Sequence, residues 1–495
     1  MPPTNLLDKL ITATGLLSLT TVAATDDANL GYLHMPFKRF YAESREDFSR
    51  KFLSKSSALQ EKVTFDGTIA LQKEETFYAA EVEIGTPSQK VVVLMDTGSS
   101  DLWVVGADTI SCPIVGGSLS CVEDGTFSIK NSSTFHSNDT LFYIEYADTD
   151  FAAGTWGRDV VSVGNLVASG LSFGVANTTN STVGIFGIGL EGLENSNSPI
   201  DDYHEYMNFP EFLKSEGAIK HVGYSLFLNE SISSSGSILF GAVDHSKYSG
   251  PLYKLPLINT LADEGFKKPI EFDITLQGLS LNSGNKKTNL TTTQIPALLD
   301  SGTTDFVVPP ELFAVILDEL GGLYMDETDI SIVSCPTENS KMDLVFDFGG
   351  FELSLDLNNF IFYDQEQNVC VLSISDSDSA NIILGDAFLT GVYVVYDLEN
   401  LEVALAKADY SSKPPQIEIM KGSIPNATMA TGYSNTWSQY ASTATESAGL
   451  PWESSDMDST TTEKSKENSK NAGTVQVVHS SWSVAFFSFL SFLLF

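Results

Sequence analysis

One pattern in this chain occurs twice, and the repetition limits the possible fold more than any bulk property does. An apolar run ends in Asp-[Thr/Ser]-Gly at Val93-Leu94-Met95-Asp96-Thr97-Gly98-Ser99-Ser100 and again at Ala297-Leu298-Leu299-Asp300-Ser301-Gly302-Thr303-Thr304. Each copy is followed, after a long interval, by two apolar residues and Gly: Ile185-Phe186-Gly187 in the first half, Ile383-Leu384-Gly385 in the second. Self-similarity at this distance predicts two lobes built alike. A single Asp-Thr-Gly is an ordinary turn after a strand. A carboxylate closing an apolar strand, however, is costly unless it is hydrogen-bonded, so two such sites point to function.

From about residue 75 to 410 the chain alternates short runs of Val, Ile, Phe, Tyr and Leu with Gly, Asn, Asp and Ser, as in Lys90-Val91-Val92-Val93-Leu94-Met95 and Gly391-Val392-Tyr393-Val394-Val395-Tyr396. That spacing predicts strands and an all-β core. The clearest helix signal runs from Pro309-Pro310-Glu311 to Leu320, with a Pro start and the Gly321-Gly322 stop. With 64 acidic against 27 basic residues the net charge is −37, which excludes a nucleic-acid-binding surface, since phosphate contacts need clustered Lys and Arg. Self-repulsion in so acidic a protein eases as carboxylates protonate, which suits a mildly acidic medium.

On these residues the chain resembles the pepsin-like aspartic proteases over about 63–410. Three further stretches agree: Ser99-Ser100-Asp101-Leu102-Trp103-Val104 extends the first motif, Ile144-Glu145-Tyr146-Ala147-Asp148 is similar to the family's mobile flap, and Leu384-Gly385-Asp386-Ala387-Phe388-Leu389 to Tyr396-Asp397 is similar to its C-terminal signature. The resemblance implies a bilobal, all-β fold with a cleft between the lobes, in which Asp96 and Asp300 meet around one water and hydrolyse peptide bonds. It implies that Gly98 and Gly302 admit close backbone approach, and that Thr97 and Ser301 brace the two loops. Ser99 and Thr303 are then the hydroxyls on the outer carboxylate oxygens, and Tyr146 is the flap residue bonding to Trp103. It also implies pairings for the four cysteines, Cys112-Cys121 in the first lobe and Cys335-Cys370 in the second. A catalytically dead binding or adhesive module of the same fold is the rival reading, and it would be expected to lack an Asp, a motif Gly or the flap Tyr, all of which are present here.

No cofactor is expected. The six His lack His-x-x-x-His and His-Glu-x-x-His spacing, so no metal site is read, and Gly184-Ile185-Phe186-Gly187-Ile188-Gly189 is followed by no Lys or Thr that would make it a phosphate loop. Asp148, beside Glu145 and Asp150, is the candidate determinant of a preference for Lys or Arg before the cut bond. Consistent with such a preference, Arg158 is the only Arg after Arg50, whereas Lys38-Arg39 and Arg50-Lys51 lie upstream.

The two ends place this catalytic part in the secretory pathway. Residues 1–24 end in Val22-Ala23-Ala24 after an apolar stretch, the pattern of a cleaved signal peptide. Residues 25–62 carry seven basic and six acidic residues in an otherwise anionic chain and read as an inhibitory prosegment, with Lys38 and Arg39 expected over the acidic cleft. The lobes are expected at 63–228 and 229–410. Residues 411–471, rich in Ser, Thr and charge, read as an extended stem unable to form its own core. Asn471-Ala472-Gly473, the polar stretch Thr474 to Ser481 and the apolar tail from Trp482 to Phe495 fit a glycolipid attachment signal, with Asn471 as the attachment site and 472–495 removed. A short tail anchor or a buried terminal strand would leave the small triplet without a role, and roughly 20 apolar residues are needed to span a bilayer. Asn131, Asn138, Asn177, Asn180, Asn229, Asn289 and Asn426 head Asn-x-Ser/Thr sequons. Prosegment, stem and tail together resemble the yapsin branch of fungal surface proteases, which implies a monomer with protein or peptide substrates, tethered to the membrane.

Overall fold

The computed structural model describes residues 31–42, 75–109, 114–115, 118–119, 125–147, 149–164, 166–196, 206–228, 235–325, 330–336, 341–364, 369–377 and 381–437. All lie within the first of two units, Met1–Ala441. The expected signal peptide, Cys112, Cys121, Asp148, Asn229 and Asn471 lie outside the described residues.

The all-β expectation holds. The alternating runs form strands, among them β2 (Glu75–Ile84), β3 (Gln89–Asp96) and β4 (Leu102–Val105), which lie within a sheet of 14 strands that also takes in β1 (Leu33–Ala42), outside those runs. The helix read from its Pro start and Gly stop spans Pro310–Glu319, and Gly321 supplies the positive φ of 62° that ends it.

The duplicated motifs are spatial duplicates. Gly184–Gly187 lies parallel to β3, with Gly187 opposite Asp96, and antiparallel to β4. In the second half Ile382–Leu384 lies parallel to Ile295–Leu299, with Leu384 opposite Leu299, and antiparallel to Phe306–Val308. Each catalytic-motif loop is thus held by its own apolar-apolar-Gly strand: Ile188 N donates to Asp96 O at 2.9 Å in the first half, and Asp300 N donates to Leu384 O at 3.3 Å in the second. Both Gly positions are sterically obligatory, since a Cβ would lie 2.6 Å from Asp101 N at Gly187 and 2.2 Å from Asp305 O at Gly385.

The lobe boundary at 228/229 lies between two paired antiparallel strands, Gly223–Phe227 and Ser235–Phe240, and the two halves share a continuous sheet. Within that sheet β1, expected to be part of a removable prosegment, runs between Ser235–Phe240 and β2, antiparallel to both. Its alternation buries Leu33, Met35 and Phe37, and the Phe37 ring meets Tyr78 edge-on at 5.2 Å. The backbones of Lys38 and Arg39 lie opposite Ala79 and Tyr78, so sheet pairing and apolar burial hold this segment in addition to any charge effect.

The stem begins later than 411. Ile417–Ile419 pairs with Ala242–Asp244, Ala427–Met429 pairs with Tyr248–Pro256, and Met420, Ile424 and Ala430 are buried. Tyr433 OH donates to Pro256 O at 3.1 Å and accepts from Thr275 N at 3.0 Å. A segment too polar to make a core of its own folds here because its few apolar residues complete one already built by Phe227, Val243, Leu252 and Tyr393. Cys335 and Cys370 form a disulfide, with their Cα atoms 5.1 Å apart. The sequon residues Asn131, Asn138, Asn177, Asn180, Asn289 and Asn426 are exposed. No described helix is long and apolar enough to cross a membrane.

Candidate active site

Asp96 ends β3, and its loop supplies the carboxylate's own donors. Gly98 N donates to Asp96 Oδ1 at 2.8 Å, and Ser99 Oγ donates to Oδ2. The second loop repeats the arrangement: Gly302 N donates to Asp300 Oδ1 at 2.8 Å and Thr303 Oγ1 to Oδ2 at 2.7 Å. These contacts are two and three residues long, so each Asp-x-Gly-[Ser/Thr] stretch folds around its own carboxylate without help from elsewhere.

The loops then brace each other across the molecule. Ser301 N donates to Thr97 Oγ1 (2.9 Å) and that hydroxyl donates to Leu299 O (3.0 Å). Reciprocally, Thr97 N donates to Ser301 Oγ, which donates to Met95 O, both at 3.2 Å. This lattice turns the carboxyls face to face. A Cβ at Gly98 would lie 2.5 Å from Asp300 Oδ1, and one at Gly302 would lie 2.5 Å from Asp96 Oδ1, so neither position tolerates a side chain.

Electrostatics follow from this proximity. Burial, and then the negative charge of Asp300, hold the Asp96 carboxyl well above the usual carboxylate range, against the pull of the Ser99 and Gly98 donors. Two carboxyls so close cannot both ionise cheaply. Such a pair contains a base and an acid side by side at the pH where either alone would be fully ionised.

A hairpin is formed by two strands, His136–Glu145 and Phe151–Val163, paired with Glu145 opposite Phe151. Its tip is closed by Tyr146 N donating to Asp150 O at 2.8 Å and Thr149 N donating to Tyr146 O at 3.0 Å, with Thr149 at φ 70°. Trp103, fully buried, donates from Nε1 to Tyr146 OH at 2.8 Å. Glu145 is exposed at the tip and accepts from Tyr143 OH at 2.7 Å.

The duplicated Asp-[Thr/Ser]-Gly loops are cross-braced, each carboxyl lying against the other loop's Gly. The model of the eukaryotic aspartyl protease family covers residues 77–408. The chain belongs to this family. Three relatives from Saccharomyces cerevisiae are similar along most of their lengths. Aspartic proteinase MKC7 is 42% identical over 474 residues, 84% of this chain and 79% of the relative. Aspartic proteinase 3 is 40% identical over 493 residues, 85% of each chain, and aspartic proteinase yapsin-3 is 44% identical over 418 residues, 83% of this chain and 79% of the relative. The protease is therefore an aspartic endopeptidase of yapsin-like sequence.

Sequence reasoning missed several buried acids of this protease. Asp101, fully buried, accepts from Tyr206 OH at 2.5 Å and from Asn195 N at 2.8 Å. Glu271 and Asp273 form a second carboxyl pair near Asp300, where burial and then Asp273 push Glu271 up, and burial pushes Asp273 up. The signal for the second pair was visible, since Glu271-Phe272-Asp273 sets two acids around an aromatic just before an apolar strand. For Asn195 and Tyr206 no local signal exists.

Proposed function

We propose that this protease hydrolyses peptide bonds through a water activated by Asp96 and Asp300, acting at the cell surface on secreted or surface proteins, at acidic pH and preferentially next to basic residues. The observation that carries the reading is the pair of carboxyls, each cradled by its own loop and each so close to the other loop that only Gly fits. The ionised member of the dyad takes a proton from the water as its oxygen attacks the peptide carbonyl carbon. The protonated member hydrogen-bonds the carbonyl oxygen and supports the tetrahedral intermediate. Return of a proton to the leaving nitrogen then completes cleavage of the C–N bond. Tyr146, held by Trp103, closes over substrate and excludes water. Thr97 and Ser301 keep the two loops in register, while Ser99 and Thr303 orient the outer oxygens.

Acidic operation is supported by the raised Asp96 carboxyl, because a dyad that must hold one proton loses it as the medium becomes alkaline. The basic preference rests on the acidic flap tip, with Asp148 as the proposed contact beside Glu145 and Asp150. A desolvated pair between such a carboxylate and a substrate cation is worth about 1.5–3 kcal/mol, roughly 10- to 150-fold in discrimination. Residues 1–24 as signal peptide, 25–62 as prosegment, the sequons as glycan sites, Cys112-Cys121 as a second disulfide and Asn471 as the glycolipid site complete the proposal, as does a monomeric state. One experiment tests it: Asp96→Asn and Asp300→Asn proteins, secreted and folded as wild type, are assayed beside wild type and Asp148→Ala on peptides differing only before the scissile bond. Both dyad variants are expected to be inactive, and Asp148→Ala is expected to lose the preference for Lys and Arg. More than a few per cent activity in either dyad variant refutes the mechanism, and a wild type preferring Leu or Phe refutes the specificity.

A further inference from the structure

Asp101 lies at the end of the loop that starts with Asp96, immediately before β4, which carries Trp103. Its carboxylate is wholly buried, yet the catalytic chemistry does not use it. Burial pushes the carboxyl up to about 6, while two donors, Tyr206 OH and Asn195 N, pull it down. Both donors lie on the segment flanking residues 197–205, far from Asp101 in sequence, and both lead onward to the flap.

Asn195 receives the carboxylate at its backbone N, 2.8 Å from Asp101 Oδ2, and its side-chain Nδ2 donates to Tyr143 O on the flap strand His136–Glu145. That strand is the last in the sheet, and an edge strand presents outward backbone groups that no ladder partner satisfies. Tyr206 donates its OH to Asp101 Oδ1 at 2.5 Å, and its ring packs on Trp156 of the other flap strand, with centroids 5.1 Å apart. Tyr206 is fastened a second time by its backbone N, which donates to Glu194 Oε2 at 3.3 Å. Tyr206 and Tyr146 pack against the same apolar cluster, which includes Trp103, Phe142 and Trp156.

We propose that Asp101 is a positioning residue for the flap: one buried carboxylate, fixed in the catalytic loop, ties the outer flap strand through Asn195 and the inner flap strand through Tyr206. The flap is then referred to the dyad at three points, its tip by Trp103 and its two strands by Asp101. Hydrogen bonds to a buried acceptor are stronger than in water and little screened by salt. The cradle therefore aims the hairpin over the cleft before substrate arrives, which lowers the cost of ordering it on binding. The inference rests on the flap reading of Tyr146 given above, and its test keeps the two apart.

Asn195→Ala, Tyr206→Phe and Tyr146→Phe enzymes are compared with wild type by steady-state kinetics on one peptide and by amide hydrogen exchange over residues 141–151. Tyr206→Phe preserves the ring on Trp156 and removes only the hydroxyl, so it isolates the bond to Asp101. Loss of one such bond is expected to raise KM about tenfold and to speed flap exchange about tenfold in both Asn195→Ala and Tyr206→Phe, with kcat within about twofold of wild type. Asp101→Asn, which can satisfy one donor but not both, loses one such bond and is expected to match these two variants. If Tyr146→Phe is impaired while Asn195→Ala and Tyr206→Phe show wild-type KM and exchange, the clamp is overturned and the flap stands, even if their melting temperatures drop. An unimpaired Tyr146→Phe overturns the flap reading and, with it, the role given to Asp101.

Discussion

Replacing Thr97 by Ala probes the brace between the two catalytic loops. The Thr97 hydroxyl accepts from Ser301 N at 2.9 Å and donates to Leu299 O at 3.0 Å, and the residue is 1% exposed, so water has no room to replace it. Its removal deletes two bonds worth about 1 kcal/mol each and strands a buried N–H and a buried carbonyl, which brings the expected loss to about 2–4 kcal/mol. Ser301→Ala deletes the mirror-image pair, whose bonds are both 3.2 Å, and is expected to cost less, about 1–3 kcal/mol. Thr97→Ser keeps the hydroxyl and loses one methyl, about 1 kcal/mol or less. Because the hydroxyls share one network, the double Ala variant should depart from additivity by about 0.5 kcal/mol or more. Activity is the second readout: a dyad whose loops slip by an ångström is expected to lose roughly 100-fold in kcat. Urea denaturation followed by tryptophan fluorescence, with kcat measured on the same preparations, checks both. A Thr97→Ala protein within about 0.5 kcal/mol of wild type, or a Thr97→Ser protein as impaired as Thr97→Ala, would refute the reasoning.

Two further outcomes are expected. Burial holds Asp96, Asp101, Glu271 and Asp273 all above the usual carboxylate range, so between about pH 4 and pH 7 the folded protein binds more protons than the unfolded chain, and stability must fall as pH rises. His221, which burial alone would lower but which Asp397 and Glu399 raise, adds stability below its ordinary value of 6.5 that is lost as pH climbs through its higher folded value. Melting temperatures taken from pH 4 to 8 at fixed ionic strength should therefore decline, and a rising curve contradicts the assignment. A chain ending at 410 should be several kcal/mol less stable than one ending at 437, because it loses the buried Met420 and Ile424, each worth roughly 2 kcal/mol, along with two strand pairings. Equal melting temperatures for the two truncations would place the end of the folded part back at 410.

Much of the active site was legible because its bonds are short in sequence. Gly98 N to Asp96 and Gly302 N to Asp300 are contacts two residues apart, and a stretch that reads Asp-x-Gly after an apolar run can make them wherever it stands. The strands and the helix Pro310–Glu319 were legible for a like reason, since alternation, a Pro start and a Gly stop act within a few residues. The pairing of the two halves was legible only because the motif occurs twice.

Tertiary structure decided what depends on register between distant segments. No local rule sends Asn195 and Tyr206 to Asp101, bonds that close 94 and 105 residues of chain; they exist because the sheet and the apolar cluster around Trp103 fix where those segments pass. The same holds for β1, whose Leu33-x-Met35-x-Phe37 alternation announces a strand but not that its place is at the centre of the shared sheet. Residues 411–437 were misjudged for the converse reason. Composition measures whether a segment can build a core by itself, whereas Met420 and Ile424 needed only to fill one that Phe227, Leu252 and Tyr393 had already formed. Local sequence thus determined the chemistry each loop carries, and packing between distant segments determined which loops meet, because only the assembled core sets the relative position of residues that the chain itself keeps far apart.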